Sequence, residues 1–347
     1  MLEVPQLEHQ SPLVSIVTPT YNHERFIGAC IESVLSQTCL KWEQIIIDDG
    51  STDRTAEIVR EYRDSRIRYF YQENRGIEAL AHTYNRALGI ARGSLIAILE
   101  GDDAWPSDKL ASQLCRFEDP DIVLVFGEDR DMDANGRLAS STSRTGKRRK
   151  KLPRSTLFNE PVGSTTSHLL TMEGQSFIPP ATVVIRRSAL EALGGFQYVP
   201  GICPTDVPTF VRLSRLGRFH YTPEVMGFRR RHSSSATLQF LQPMSATPQD
   251  FIFKQIDSPE LGLEETERAA IKRSWRSRTS SREFTSGRLC LLERDWVEAR
   301  QHFIRAIHSG RPRILAGSVA GWLLSWFHAN LETLFQLAGR TPLKPSE

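Results

Sequence analysis

Two short segments decide the fold of this chain: Val14-Ser15-Ile16-Val17-Thr18, which continues into Pro19-Thr20-Tyr21-Asn22, and Ile45-Ile46-Ile47, which continues into Asp48-Asp49-Gly50-Ser51-Thr52. Each starts with β-branched residues, which favour a buried strand, and each ends in residues that favour a turn. The apolar residues between the two segments recur at helical spacing: Ile27, Ile31, Val34 and Leu35. The segments therefore predict a strand, a helix and a second strand, with a polar loop after each strand.

The same alternation continues along the chain. Strands are predicted at residues 67–71 and 95–99, with a helix at 77–91 between them. Repeated βα units predict an α/β fold in which a mainly parallel sheet carries helices on both faces. Ligands of such sheets bind beyond the carboxyl ends of the strands, so the polar loops are expected to converge on one crevice.

The last hundred residues follow a different pattern. From about residue 240 only helices are predicted, at residues 261–275, 282–307 and 315–337. The predicted organisation is a polar tail at 1–12, an α/β catalytic domain at 13–240 and a helical extension at 241–347.

The composition limits the partners and the compartment. A net charge of +3, from 44 basic and 41 acidic residues, argues against nucleic acid as a partner. Five cysteines without a CxxC pair argue against a disulfide framework or structural zinc, and residues 1–12 lack the features of a secretory signal. A cytoplasmic protein is expected. The uncharged segment 314–330, with Trp322, Trp326 and Phe327, indicates either ordinary helix packing or a peripheral contact with the inner face of the plasma membrane.

An acidic pair follows the strand predicted at residues 95–99. Asp102 and Asp103 would supply the hard oxygen ligands that Mg²⁺ or Mn²⁺ takes alongside phosphate oxygens. Gly-Asp-Asp also makes a good turn, which is the structural alternative. Its place at a strand end favours the metal.

A second acidic pair, Asp48 and Asp49, follows the strand at 45–47. A carboxylate there can accept a hydrogen bond from the ring N–H of uracil or guanine, and both residues are predicted to bind the donor nucleotide. The alternative for this loop is helix capping and turn formation. Tyr21 either stacks on a base or packs within its loop.

Taken together and in order, these segments resemble family 2 glycosyltransferases. Further similar segments are Asn74-Arg75-Gly76, residues 91–97 and Gly194-Gly195-Phe196, and the resemblance covers about residues 13–235. It implies a GT-A fold, an inverting transfer of a hexosyl group from a nucleoside-diphosphate sugar, and Mn²⁺ or Mg²⁺ as the cofactor.

The resemblance also implies roles for individual residues. The nucleoside-contacting positions of the family are matched by Thr18, Tyr21 and Asp48. The carboxylates that meet the ribose and the metal are matched by Asp102 and Asp103. Glu100 departs from the family, which usually has an aspartate there, so the longer side chain changes one of these contacts.

The catalytic base of the family is matched by Asp206, which follows Thr205 where the family has a glutamate. A carboxylate in this role takes the proton of the acceptor hydroxyl. The structural alternative is that Asp206 only caps the helix that follows. Arg231 and His232 resemble the closing basic motif of the family and are expected to contact the diphosphate. By contrast, the run Lys147-Arg148-Arg149-Lys150-Lys151 is predicted to be a solvated loop.

The predicted function is transfer of a sugar, from a UDP-sugar before other donors, to a hydroxyl of a glycan or lipid-linked acceptor in the synthesis of cell-surface polysaccharide. A nucleotidyltransferase or dehydrogenase would need a glycine-rich phosphate loop, which Pro19-Thr20-Tyr21-Asn22 is not. The alternative from another class is a catalytically impaired module that binds a nucleotide sugar or a glycan with the same fold.

Overall fold

A computed structural model of the protein describes residues 12–140, 143, 146, 149–171, 176–198, 206–235, 253, 256–307 and 312–329. The chain divides into two compact units, residues 1–248 and 249–347. The domain boundary predicted near residue 240 falls in 236–252, outside the described residues, so it stays a prediction.

The first unit is built on one seven-stranded sheet. Its strands are β1 Val14–Thr20, β2 Trp42–Asp48, β3 Ile67–Tyr71, β4 Leu95–Ile98, β5 Ile122–Met132, β6 Val184–Arg186 and β7 Arg218–Arg230. The order across the sheet is β3-β2-β1-β4-β6-β5-β7. Only β6 runs antiparallel to its neighbours, β4 and β5. The mainly parallel sheet predicted from the βα repetition is therefore confirmed.

Helices cover both faces of this sheet. They are α1 Ile27–Leu35, α2 Thr55–Glu61, α3 Leu80–Ile90, α4 Lys109–Leu114, α5 Arg154–Phe158, α6 Thr166–Thr171, α7 Arg187–Ala192 and α8 Asp206–Leu213. Ile31 of α1 and Leu110 of α4 share one buried cluster with Ile16 of β1. The helix α3 packs against β1 and β2, and every residue of those two strands is buried. Burial on both sides explains their continuous apolar runs.

The topology brings distant loops to one edge of the sheet. In the parallel pairing of β1 and β2, Thr20 lies opposite Asp48, so the two strands end together. The strand β4 runs parallel to β1, so the turn that follows β4 emerges at the same edge. From the other side, Phe228 near the end of β7 pairs with Ala104 just after that turn.

The described part of the second unit contains three long helices: α9 Glu265–Leu292, α10 Trp296–Ile307 and α11 Pro312–Trp326. The continuous helix predicted at 282–307 is wrong, because the chain turns at Arg294, whose φ is +63°. Asp295 then accepts a hydrogen bond from the N–H of Glu298 (3.1 Å) and starts α10. Phe303 of α10 packs on Leu291 of α9. No helix in the described part of the chain has the length and apolar character needed to cross a membrane.

Candidate active site

The acidic turn after β4 is held in place by Arg230. The backbone N–H of Arg230 donates a hydrogen bond to Oδ1 of Asp103 (2.8 Å), and its Nε donates to the carbonyl of Asp102 (2.8 Å). The guanidinium also lies 5.1 Å from the ring centre of Phe26. Arg230 is buried, so its side chain serves to hold the turn.

Asp103 lies in a strongly negative environment. Burial, together with the charges of Asp102 and Glu100, raises the pKa of Asp103 well above its ordinary value. Its second oxygen, Oδ2, makes no hydrogen bond with any described residue. A cation at this oxygen would relieve the repulsion, so the turn has the electrostatics of a metal-binding position.

A pair of histidines adjoins the acidic turn. Nε2 of His232 lies 3.0 Å from Oδ2 of Asp102. Burial opposes ionisation of Asp102, but the hydrogen bond with His232 and the charge of His23 outweigh it, so the pKa of Asp102 is lowered. The rings of His23 and His232 lie 6.4 Å apart, edge to face. The predicted diphosphate residue His232 is thus in contact with a predicted metal ligand.

His23 is a site residue that the sequence reading missed. Its Nδ1 lies 3.1 Å from the hydroxyl of Thr20, and burial lowers the pKa of its ring. The one sequence feature tied to this position is the glycine at 101, where a Cβ atom would lie 2.8 Å from Nδ1 of His23. Only a residue without a side chain lets the acidic turn approach His23 this closely.

The donor set of this turn fits a divalent metal that also binds a diphosphate. In the described residues, no group of three or more histidine, cysteine or acidic side chains is arranged to hold a metal ion alone. Mg²⁺ is commonly held by one or two carboxylates together with substrate phosphates. Asp102 and Asp103 match that arrangement, and the remaining ligands would come from the substrate.

The two members of the second acidic pair have different surroundings. Asp48 is fully buried; its Oδ1 accepts the N–H of Ser51 (2.8 Å) and its Oδ2 accepts the hydroxyl of Tyr69 (2.7 Å). Asp49 is partly exposed and accepts a hydrogen bond from Nε2 of Gln72 (2.6 Å). Of the two, Asp49 reaches the surface and Asp48 does not. A nucleotide contact, predicted for both residues, stays a prediction, and the exposure favours Asp49.

The same contrast separates Thr18 from Tyr21. Thr18 lies within β1, is fully buried, and its hydroxyl accepts a hydrogen bond from Nε2 of Gln44 (3.1 Å). Tyr21 lies just past the end of β1 and is 46% exposed. The position of Thr18 inside the core does not suit a side-chain contact with a nucleoside, whereas Tyr21 is free to stack on a base.

Asp206 has the properties of a general base. It is the first residue of α8, and its Oδ1 is buried without a hydrogen-bond partner among the described residues. Burial and the nearby charge of Glu100 raise the pKa of Asp206 to about 7. A helix start also suits a carboxylate, as the structural alternative holds, but an unpaired buried oxygen is not explained by capping. Thr205 lies outside the described residues.

Glu100 links Asp206 to the acidic turn through its charge. Its Oε1 accepts the hydroxyl of Tyr84 on α3 (2.9 Å). Burial and the charge of Asp102 raise the pKa of Glu100 to about 7. The predicted departure at this position therefore has a consequence: the longer side chain bonds to α3 and places a carboxyl group within the electrostatic reach of Asp206.

The sequence of this chain matches a known protein family. A model of glycosyl transferase family 2 matches residues 15–194, which is more than half of the chain. The chain belongs to glycosyl transferase family 2. The resemblance inferred from the strand-end motifs is thereby confirmed. The matched segment contains Asp49, Asp102 and Asp103 and ends before Asp206, so the role of Asp206 stays a prediction.

Known proteins resemble this family 2 chain in sequence and in fold. It is 41% identical over 115 residues to the Escherichia coli protein named UDP-Glc:alpha-D-GlcNAc-diphosphoundecaprenol beta-1,3-glucosyltransferase WfgD. That alignment covers 33% of this chain and 45% of WfgD, so the chain spans less than half the length of this relative.

Two solved structures share the fold. S. aureus TarS 1-349 in complex with UDP-GlcNAc superposes with a TM-score of 0.58 at 18% identity, over 94% of this chain and 92% of that one. The mannosyltransferase PcManGT from Pyrobaculum calidifontis, in complex with GDP-Man and Mn2+, gives a TM-score of 0.53 at 19% identity, over 91% and 81%. The predicted GT-A type fold of the family 2 chain is confirmed.

The arginines of the basic motif are paired with acids of β5. Nη2 of Arg229 lies 2.8 Å from Oδ1 of Asp131, and Nε of Arg231 lies 3.3 Å from the same oxygen. About a third of the Arg231 side chain is exposed. In this family 2 chain Asp131 holds both arginines beside the acidic turn, and the diphosphate contact of Arg231 stays a prediction.

The basic run at 147–151 is not simply a solvated loop, because Arg149 is buried. Its Nε and Nη2 donate to the two oxygens of Glu128 (2.9 and 2.7 Å), and Nη2 also donates to Asp129 (3.0 Å). Lys147 and Arg148 lie outside the described residues, and Lys150 is exposed. The prediction is wrong for Arg149, whose acidic partners lie about twenty residues earlier in β5.

The contrast between Asp48 and Asp49 leads to a first expected result. Asp49→Asn is expected to weaken UDP binding about tenfold or more, since it removes a charged acceptor that reaches the surface. Asp48→Asn is expected to lower the free energy of unfolding by about 1–3 kcal/mol, because the donors Ser51 and Tyr69 lose a buried, charged acceptor. Calorimetric titration with UDP and thermal unfolding of both variants would check this. Normal UDP binding by Asp49→Asn would contradict the assignment.

Proposed function

We propose that the protein is an inverting glycosyltransferase that moves a sugar from a UDP-sugar to a hydroxyl of a glycan or lipid-linked acceptor. The observation that carries the proposal is Asp206, a buried carboxylate with an unpaired oxygen and a pKa of about 7. It lies within the electrostatic reach of Glu100, two residues before the acidic turn. Direct displacement requires a base and a diphosphate-binding group near each other. Asp206 and the acidic turn would supply them.

In the proposed reaction Asp206 takes the proton of the acceptor hydroxyl as its oxygen forms a bond to the anomeric carbon. The bond from that carbon to the diphosphate breaks in the same step, and the nucleoside diphosphate leaves with the electron pair. One displacement inverts the anomeric configuration. A divalent metal, Mn²⁺ or Mg²⁺, would neutralise the leaving charge. Arg231 and His232 are proposed to add hydrogen bonds to the diphosphate as that charge develops.

The proposed donor nucleotide follows from the base-recognition end of the site. Asp49 as an acceptor suits the ring N–H of uracil or guanine, and Tyr21 offers a surface on which either base stacks. The names of WfgD and of the TarS complex include UDP-sugars, and that of the PcManGT complex includes GDP-Man. UDP is proposed here because WfgD, the relative of higher sequence identity, bears it in its name. Cell-surface polysaccharide synthesis at the cytoplasmic side of the membrane is part of the same proposal.

Metal-dependent nucleotide binding tests the proposed function. Mn²⁺ is expected to tighten UDP binding to the wild-type protein at least about tenfold, since Asp102 and Asp103 would hold the metal and its charge would offset that of the diphosphate. Asp103→Asn is expected to abolish this gain and to keep the metal-free affinity. Asparagine preserves the oxygen that accepts the Arg230 N–H, so the turn keeps its conformation.

Calorimetric titrations of UDP, GDP, dTDP and CDP, each with and without Mn²⁺, provide the measurement. A metal-dependent gain that survives in Asp103→Asn would remove Asp103 from the metal site. Failure of every nucleotide to bind the wild-type protein under both conditions would overturn the transferase proposal.

A further inference from the structure

The residues of α11 that are fully buried are all small. They are Ser318, Gly321 and Ser325. Gly317 lies so close to Phe284 of α9 that a Cβ atom would approach the ring to 2.8 Å. The fully buried positions of the helix are therefore small residues that allow a close approach to α9.

Trp322 and Leu324 of α11 pack against the core of the unit, but a second set of large apolar residues is exposed. Their exposed fractions are 40% for Leu315, 39% for Val319, 47% for Leu323, 58% for Trp326 and, just after the helix, 79% for Phe327. Positions 315, 319, 323 and 327 are four apart and form one stripe along the helix. The outer face of a helix in contact with water is normally polar, so an exposed apolar stripe of this length is unusual.

The apolar surface continues onto α10. Val297 is 60% exposed and Ile304 is 48% exposed. Because they are seven residues apart, they lie on the same side of the helix. The guanidinium of Arg300, between them, lies 4.1 Å from the centre of the Trp326 ring. This contact joins the outer side of α10 to the aromatic end of α11. We call the seven apolar residues the outer patch: Val297, Ile304, Leu315, Val319, Leu323, Trp326 and Phe327.

Two arginines border the outer patch. Arg313 is the one charged residue in the sequence of α11, and it is exposed. Arg300 lies against the patch itself. Two acidic residues of the neighbouring helices, Glu283 of α9 and Glu298 of α10, pair with His302 and Arg305. An apolar surface with aromatic residues at one end and arginines at its border complements an anionic lipid surface.

We propose that the outer patch docks on the surface of an anionic lipid bilayer. Leu315, Val319 and Leu323 would lie among the acyl chains near the headgroups, with Trp326 and Phe327 at the boundary. Arg300 and Arg313 would face the phosphates. The outer patch belongs to the helical unit alone, and its docking is a function separate from the transfer reaction proposed for the catalytic unit. A bilayer partner would also bring that unit near a lipid-linked acceptor.

Vesicle flotation of the full-length protein tests the proposal. The protein is expected to float with vesicles of phosphatidylcholine mixed with phosphatidylglycerol, and less with phosphatidylcholine alone. Leu323→Glu is expected to weaken this binding at least about tenfold, because it removes an apolar contact and adds a repelled charge. Arg300→Gln is expected to weaken binding to the anionic vesicles about fivefold. Leu40→Glu is the matched control, since Leu40 is an exposed leucine (67%) of the catalytic unit.

The outcomes separate lipid from other partners and from the proposed catalytic function. UDP binding, measured on each variant, reports on the catalytic unit independently of the vesicles. The proposal would be overturned if the wild-type protein did not float with anionic vesicles, or if Leu40→Glu reduced flotation as much as Leu323→Glu. It would also be overturned if sedimentation showed a wild-type dimer that Leu323→Glu dissociates while vesicle binding stays unchanged, because the patch would then join two copies of the chain.

Discussion

Replacing Asp206 by asparagine is expected to lower the rate of sugar transfer about 10³-fold, with UDP and UDP-sugar binding unchanged. Asparagine has nearly the same shape but cannot take a proton, and general-base catalysis typically contributes about 10²–10⁴-fold to a rate. The loss should appear in kcat. Asp121→Asn, which changes an exposed aspartate with a side chain 74% accessible, is the matched control and should retain full activity.

The pH dependence of the wild-type enzyme is expected to report the same group. Burial and Glu100 raise the pKa of Asp206 to about 7, and the base works only when it is deprotonated. The rate of transfer should therefore rise with pH, nearly tenfold per unit below about 7, and level off above it. The Asp206→Asn variant should lose this dependence in its residual activity.

Stability measurements separate a lost base from a lost fold. Because the folded-state pKa of Asp206 is raised above its ordinary value, the ionised form is disfavoured in the folded protein. The stability contributed by the protonated form of Asp206 is fully present below the pKa that this side chain has in the unfolded chain. It is lost as pH rises through the folded-state pKa of about 7. Asp206→Asn should thus be at least as stable as the wild type at neutral pH.

Two results would count against the assigned base. An asparagine variant with wild-type kcat would remove Asp206 from catalysis. A wild-type protein that binds UDP-sugars tightly but turns over none, with any acceptor tried, would instead favour the impaired binding module.

Replacing Arg149 by leucine is expected to lower the free energy of unfolding of the catalytic unit by about 3–5 kcal/mol. Arg149 is buried between Glu128 and Asp129 and also donates to the carbonyl of Phe177 (2.8 Å). Removing one partner of a buried ion pair leaves the other charges uncompensated, which accounts for a loss of this size. The hydroxyl of Tyr221 also donates to Glu128, so a network rather than one pair loses its centre.

Urea unfolding, detected through the loss of UDP binding, measures this change in the free energy of unfolding of the catalytic unit. Lys150→Leu is the matched control, because Lys150 is the adjacent basic residue and is exposed; its effect should stay within about 0.5 kcal/mol. If Arg149→Leu cost no more than Lys150→Leu, the whole run would be the solvated loop that its composition indicates.

The sequence could predict those features that depend on neighbours along the chain. The β-branched runs at 14–18 and 45–47 and the helical spacing between them are local patterns, and they predicted the alternating α/β fold correctly. The acidic residues after the strands are also visible in the sequence. Because neighbouring parallel strands end at the same edge of the sheet, their convergence on one site could be predicted. The family resemblance followed from the same motifs. It named Asp206 as a candidate without showing the environment that raises its pKa.

Only the tertiary structure decided which polar side chains face a ligand and which are buried. Asp48 and Asp49 are adjacent in sequence, and the contact of Asp48 with Tyr69 of β3 determines that Asp49 is the accessible one. His23 and Asp102 come together through the topology, and His232 reaches Asp102 across 130 residues. These environments depend on partners from distant strands. A side chain's charge and burial are set by what surrounds it in space, and no local pattern contains that information.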